Sequence, residues 1–166
     1  MINKIPEFII TRTFNAPRDL VWKAWTDPKM LIKWLGPKGS GVSLIKQEFQ
    51  SGGVLHTKMQ SEGGPVIYGK YTYQEITPPS RLTWLQSFSD AEGVNLTRHP
   101  FASTWPLELL TTVIFEEHGN KTKVTLNWVP LNANDIELKT FEDALPGMNQ
   151  GWGGSFEQLD TFLLSL

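Results

Sequence analysis

The sequence predicts an α+β fold, one antiparallel sheet covered on a single face by a long C-terminal helix. Three observations carry this expectation. Apolar residues recur every three or four positions at Leu138, Phe141, Leu145, Met148, Trp152, Phe156, Leu159, Leu163 and Leu166, the period of one helix face. The middle of the chain instead alternates at a period of two and is punctuated by Gly and Pro. The turns between those stretches are short, which forces antiparallel neighbours.

Glu7 to Phe14 is rich in β-branched and aromatic residues and reads as the first strand. Asn15-Ala16-Pro17 ends it and opens a helix, with Asn15 or Ala16 as cap and Pro17 near the first helical position. Leu20, Val21, Ala24 and Trp25 mark that helix's apolar face. Asp27 then caps a second helix that begins at Pro28 and runs to about Trp34. Gly36 to Gly41 is a loop by composition. Strands follow at Val42–Phe49, Val54–Gln60, Val66–Ile76 and Arg81–Phe88. Ser51-Gly52-Gly53, Glu62-Gly63-Gly64-Pro65 and Thr77-Pro78-Pro79-Ser80 supply the turns. Ser89 to Leu109 is a loop of about twenty residues, a length that is uncommon without a function. Strands at Leu110–Glu117 and Thr122–Val129 pair across His118-Gly119-Asn120-Lys121. In them Val113 and Phe115, and Val124, Leu126 and Trp128, lie on one apolar face. A short helix over about Asn134–Ala144 precedes the long one, which opens at Pro146. Gly151, Gly153 and Gly154 interrupt the long helix at roughly 1 kcal/mol each relative to alanine, which points to close approach of its backbone to another layer or to a ligand.

The chain of 166 residues, 40% hydrophobic and 19% charged, is expected to form one domain spanning residues 1–166. A net charge of −2 and a pI near 5.9 give no basic footprint for nucleic acid. No apolar run approaches the ~20 residues of a membrane span, and the first residues lack a signal-peptide core. With no cysteine there is neither disulfide nor thiolate chemistry. A cytoplasmic location is the default expectation. Seven tryptophans are an aromatic excess, fit for a core or for the wall of an apolar pocket.

Catalytic and metal motifs are missing. His56, His99 and His118 are the only histidines, and none has a partner at a metal-ligand helical spacing. His118 precedes a turn glycine, and His56 alternates with Leu55 and Thr57 and is expected to face outward. No GxGxxG opens a helix after a strand, and no Gly-x-Ser-x-Gly elbow occurs. No catalytic residue, metal or cofactor is assigned.

Three ordered stretches resemble one family. Ala16-Pro17 with Val21-Trp22-Lys23-Ala24-Trp25-Thr26-Asp27-Pro28 and Trp34 is similar to its opening. Gly52-Gly53, then Gly69-Lys70-Tyr71 running to Glu75-Ile76-Thr77-Pro78-Pro79-Ser80-Arg81-Leu82, is similar to its middle. Gly151-Trp152-Gly153-Gly154-Ser155-Phe156-Glu157-Gln158-Leu159 is similar to its end. The family is that of the homologues of the activator of heat-shock-protein-90 ATPase, within the START-like SRPBCC superfamily. The resemblance implies a helix-grip (START-like, birch-pollen-allergen-like) fold, a curved seven-stranded antiparallel sheet around the C-terminal helix, with two short helices after the first strand. It also implies a cavity between sheet and helix, used in the superfamily for lipids, hormones or polyketides. Eukaryotic activators carry a further N-terminal domain. This chain starts its first strand within about ten residues of Met1, so it is expected not to stimulate the chaperone's ATPase by itself.

Strand alternation puts Leu55, Thr57 and Met59 on one face, with Tyr71, Tyr73 and Trp84 beside them and Met148, Trp152 and Phe156 opposite, on the helix. The residues alone leave open whether these side chains fill the space. Taken with the resemblance they form the expected ligand-binding cavity, Tyr71 and Tyr73 supplying polar tips. Arg98, His99 and Trp105 form its rim, and Arg98 and His99 a mobile lid. The expected function is binding of a small, largely apolar molecule. Two alternatives are a chaperone-associated or other protein-interaction module and a polyketide cyclase or aromatase-like enzyme. The sequence is equally compatible with a homodimer.

Overall fold

The computed structural model describes residues 4–36 and 40–166. β1 (Phe8–Phe14) is followed by helices α1 (Arg18–Thr26) and α2 (Pro28–Leu31). Strands β2 (Ser40–Gln47), β3 (Val54–Ser61), β4 (Ile67–Thr77), β5 (Arg81–Ser89), β6 (Leu96–Thr97), β7 (Glu108–His118) and β8 (Lys121–Leu131) come next. Helices α3 (Asp135–Asp143) and α4 (Leu145–Leu164) end the chain. The sheet runs β1-β8-β7-β5-β4-β3-β2, with β6 appended to β5, and every pairing is antiparallel. The expected seven strands are present. The two-residue β6 is an eighth, inside the stretch expected to be loop. Pro37, Lys38 and Gly39 of the expected Gly36–Gly41 loop lie outside the described residues.

One face of the sheet is buried because its strands alternate. In β8, Thr122, Val124, Leu126, Trp128 and Pro130 are buried and their neighbours are not. In β7, Leu109, Thr111, Val113 and Phe115 do the same. From α4, Met148, Trp152, Phe156, Leu159 and Leu163 turn toward that face. The Arg12–Asp160 ion pair ties β1 to the helix. The Gln158 amide donates to the carbonyls of Gly36 (2.6 Å) and Trp34 (3.3 Å), joining the segment after α2 to the helix.

Three local expectations need correction. The first helix begins at Arg18 with Pro17 at the capping position. Neither Asn15 nor Ala16 caps it, because the Ala16 carbonyl accepts from the buried Thr122 hydroxyl at 2.8 Å. The first helical bonds instead run from Leu20 and Val21 N–H to the Pro17 carbonyl. His56 is not outward in water but only 3% exposed. The turn after β5 folds over it, closed by Val94 and Asn95 N–H donating to the Asp90 carboxylate. Gly93 lies so close that a Cβ there would stand 3.0 Å from His56 Nδ1, and Ser89 Oγ meets His56 Nε2 at 3.3 Å.

The third correction concerns the helix glycines. A Cβ at Gly147, Gly151, Gly153 or Gly154 would meet nothing within 4 Å, so no protein layer demands a bare backbone there. Gly153→Ala and Gly154→Ala are therefore each expected to raise stability by about 0.5–1 kcal/mol, through helix propensity alone. Urea denaturation checks this, and a loss of stability at either position would contradict it.

Candidate functional site

The inward rows of β3, β4 and β5 are set by register. Leu55 faces Tyr71, Thr57 faces Gly69 and Met59 faces Ile67. Across the next seam Tyr71 faces Gln86 and Gly69 faces Phe88. The middle row has no side chain at Gly69, where a Cβ would stand 2.7 Å from Thr57 Oγ1. Gly69 carries no side chain because Thr57 takes its place, so the inward row stays low opposite the N-terminal half of α4, and a groove lies between them.

The groove has two lobes, of about 530 Å³ and about 250 Å³. The larger is in the range of small-molecule sites. Both lobes are walled by Thr57, Met59, Tyr71, Gln86, Trp128 and Met148. The larger adds Ile67, Gly69, Ser87, Phe88 and Leu109 from the sheet, His99, Trp105 and Pro106 from the long loop, and Asp143, Ala144 and Gly147 from the α3–α4 junction. The smaller adds Leu35, Gly36, Val42, Gly151, Trp152 and Ser155. The exposed Gly147 and Gly151 face this space.

Among the expected cavity residues, Thr57, Met59, Tyr71, Met148 and Trp152 line the groove. Leu55, Tyr73 and Trp84 are core residues instead, together lining a void of about 10 Å³. Phe156 is wholly buried, edge-on to Phe14 and Trp25. At the expected rim, His99 and Trp105 line the larger lobe. Arg98 turns away from it, pairing with Glu137 and donating to the Trp105 carbonyl at 3.3 Å. Gln86 and Trp128 were not among the expected cavity residues. Gln86 shares strand parity with Leu82, Trp84 and Phe88, and a polar residue on an apolar face was the available signal.

The long loop is fastened rather than loose. Besides Arg98–Glu137, the Thr104 and Thr140 hydroxyls meet at 2.8 Å, and Trp105 packs on Phe141 with ring centroids 5.5 Å apart. Glu137 also closes a capping box, accepting from Asn134 N–H while its own N–H donates to the Asn134 side chain. The loop thereby hangs from the first turn of α3.

Polar groups in the groove are few. Burial, with the Tyr73 phenol second, pushes the Tyr71 phenol above its ordinary range, so it stays a protonated donor. Its ring stacks on Trp84, 5.3 Å between centroids and 1° between planes. Burial pushes the His99 imidazole down. Its Nδ1 accepts from Phe101 N–H at 3.0 Å, which places the neutral ring's proton on Nε2. Among the described residues no three or more His, Asp or Glu side chains gather as metal ligands would. No helix among them is long and apolar enough to cross a membrane.

The model of the family described as Activator of Hsp90 ATPase homolog 1-like protein matches residues 15–163. No curated protein matches the sequence. A protein from Arthrobacter aurescens has a similar solved structure at 24% identity and TM-score 0.79, with 100% of this chain and 94% of that one covered. Protein Ms6760 from Mycobacterium smegmatis is similar at 23% identity and TM-score 0.77, over 95% and 90% of the two chains. The AHSA1 protein from Silicibacter pomeroyi follows at 18% and 0.68, over 96% and 98%. At these identities the likeness establishes the fold.

The loop anchor yields a pH prediction. The backbone bond to Asn134 first, against the opposing effect of burial, and then Arg98 hold the Glu137 carboxyl below its ordinary value. A depressed carboxylate contributes stability above its unfolded pKa and loses it as pH falls through the folded one. Glu137→Gln is therefore expected to lower the melting temperature at pH 7, with the deficit shrinking below about pH 4, where unfolded Glu titrates. Melting curves of both proteins across pH check this; a deficit independent of pH would contradict it.

Proposed function

The chain belongs to the Activator of Hsp90 ATPase homolog 1-like family, and from that premise we propose that it binds a small, largely apolar molecule in the groove between the sheet and α4. One observation carries this reading. The sheet row carries no side chain at Gly69, where Thr57 takes its place, and the facing helix surface is bare at Gly147 and Gly151, although no protein atom would obstruct a Cβ on the helix. A low sheet row facing a bare stretch of helix leaves apolar surface uncovered, which favours an apolar guest. Thr57, Met59, Tyr71, Met148 and Trp152 form the contact surface, with His99 and Trp105 at the mouth. Leu55, Tyr73, Trp84 and Phe156 support it from the core. Arg98 acts at one remove, by holding the loop that carries His99 and Trp105.

Enzymatic turnover has less support. The ionisable side chains lining the groove, among the described residues, are Tyr71, His99 and Asp143, and Asp143 pairs with Lys139 at 2.7 Å. Without a second carboxylate or a nucleophile beside His99, a cyclase-like acid–base pair is not assembled. Association with a chaperone is the reading suggested by the family's name, and no described surface adds to it.

N-phenyl-1-naphthylamine, an uncharged fluorophore, tests the proposal. It is expected to bind saturably at one site. Gly151→Phe, which fills the smaller lobe from the open side of α4, should weaken binding at least roughly tenfold, the equivalent of about 1.4 kcal/mol, without lowering stability. Leu159→Ala, buried under the other end of the helix, should cost about 2–5 kcal/mol of stability and leave affinity unchanged. Absence of saturable binding in the parent protein, or equal affinity in Gly151→Phe, would refute the groove as the site.

A further inference from the structure

The polar equipment of the groove is specific enough to name a ligand class. Tyr71 and Gln86 are direct cross-strand partners, so both side chains leave the sheet on the same face, with Cβ atoms about 5 Å apart. Gln86 is oriented by its own neighbours. Its Oε1 accepts from Trp84 Nε1 at 3.1 Å and from Thr111 Oγ1 at 3.5 Å. The amide is therefore turned one way, with its NH2 group directed away from those donors. Among the described residues neither that NH2 nor the Tyr71 hydroxyl has a hydrogen-bond partner, and both residues wall both lobes. Trp84 orders the pair twice over, stacking on the Tyr71 ring and holding the Gln86 oxygen.

Two pre-positioned donors without a protein acceptor, open to the groove and set among apolar walls, favour an oxygen on the guest. We propose that the ligand is an uncharged, largely apolar molecule bearing a carbonyl oxygen, which is received between the Tyr71 hydroxyl and the Gln86 amide NH2. The inference rests on the groove being the binding site and adds which chemistry it selects. An anionic group is not provided for. No Lys or Arg lines either lobe among the described residues, Asp143 stands at the mouth, and Arg98 is engaged by Glu137. The raised Tyr71 phenol keeps its proton over the working pH range and so remains a donor.

A matched trio of fluorescent probes separates this inference from the one beneath it. The ketone is 6-propionyl-2-dimethylaminonaphthalene. The hydrocarbon analogue, 2-dimethylamino-6-propylnaphthalene, has CH2 in place of the carbonyl. The acid is 6-dimethylamino-2-naphthoate. Tyr71→Phe removes one donor that the fold does not use. Gln86→Glu keeps the acceptor for Trp84 Nε1 and replaces the NH2 donor with oxygen. Each substitution is expected to weaken ketone binding roughly 3- to 10-fold, the scale of one net hydrogen bond. Hydrocarbon binding should be weakened less than ketone binding by each substitution. Ketone emission should lie further to the red in the parent than in Tyr71→Phe, as a hydrogen-bonded carbonyl requires. If the ketone is affected no more than the hydrocarbon, or if the acid binds more tightly than the ketone, the carbonyl assignment is wrong while the groove stands. If no member of the trio binds the parent protein, the groove reading fails and this inference fails with it.

Discussion

The packing of Trp25 is the interaction on which the rest of the structure depends. This side chain, from the last full turn of α1, touches both layers at once. It meets Trp84 and Phe115 on the sheet at centroid distances of 6.3 and 5.9 Å. On α4 it stacks against Trp152 at 6.1 Å and meets Phe156 edge-on at 6.2 Å. Trp34 closes over it at 4.7 Å, fixed by an indole N–H donated to the Ala24 carbonyl. A Trp wedge of this kind sets how far the helix stands from the sheet, because aromatic pairs hold their spacing and large area is buried on both sides. The two short helices after β1 are thus the spacer of the fold, more than a connection.

That spacing divides the helix into two halves with different duties. Beyond Trp152, Phe156, Leu159 and Leu163 are buried, and the interior is close-packed as protein cores are. Before Trp152, the wedge no longer fills the gap, Gly69 removes a side chain from the sheet, and Gly147 and Gly151 remove them from the helix. Met148 and Trp128 remain as walls. The same wedge that makes one half solid props the other half open. The long loop then closes the end of the opening, held by the carboxylate that also caps α3. Loop position and helix start are thereby linked through Glu137.

Much of this was legible in the residues, and what was not has physical reasons. The three- and four-residue steps of α4, the Asp27 cap and the alternation of β7 and β8 all announce themselves, because each is local. The seven main strands and the two helices after β1 follow from them. Thr57, Met59, Tyr71, Met148 and Trp152 were assigned to the groove by parity and by the resemblance. Parity cannot say how far along a strand the groove extends, and so Leu55, Tyr73 and Trp84 were included although the wedge covers them. Phe156 was included because the helix face is continuous in sequence, whereas the space beneath it is not. His56 was misplaced because a distant turn, Asp90 to Asn95, buries it, and turn placement is non-local. Gln86 was overlooked because its role depends on Trp84 and Thr111, partners that only register brings together.

The groove between the sheet and α4 is the central claim, and methionine resonances test it most directly. The chain has four methionines, and Met59 and Met148 line both lobes. Met30, on α2, packs against the core away from them and serves as an internal reference. With the methyl groups carrying carbon-13, titration with N-phenyl-1-naphthylamine should shift the Met59 and Met148 signals together, along one saturation curve, while Met30 stays in place. Unchanged Met59 and Met148 signals at saturating probe, or a shift confined to Met30, would contradict the account.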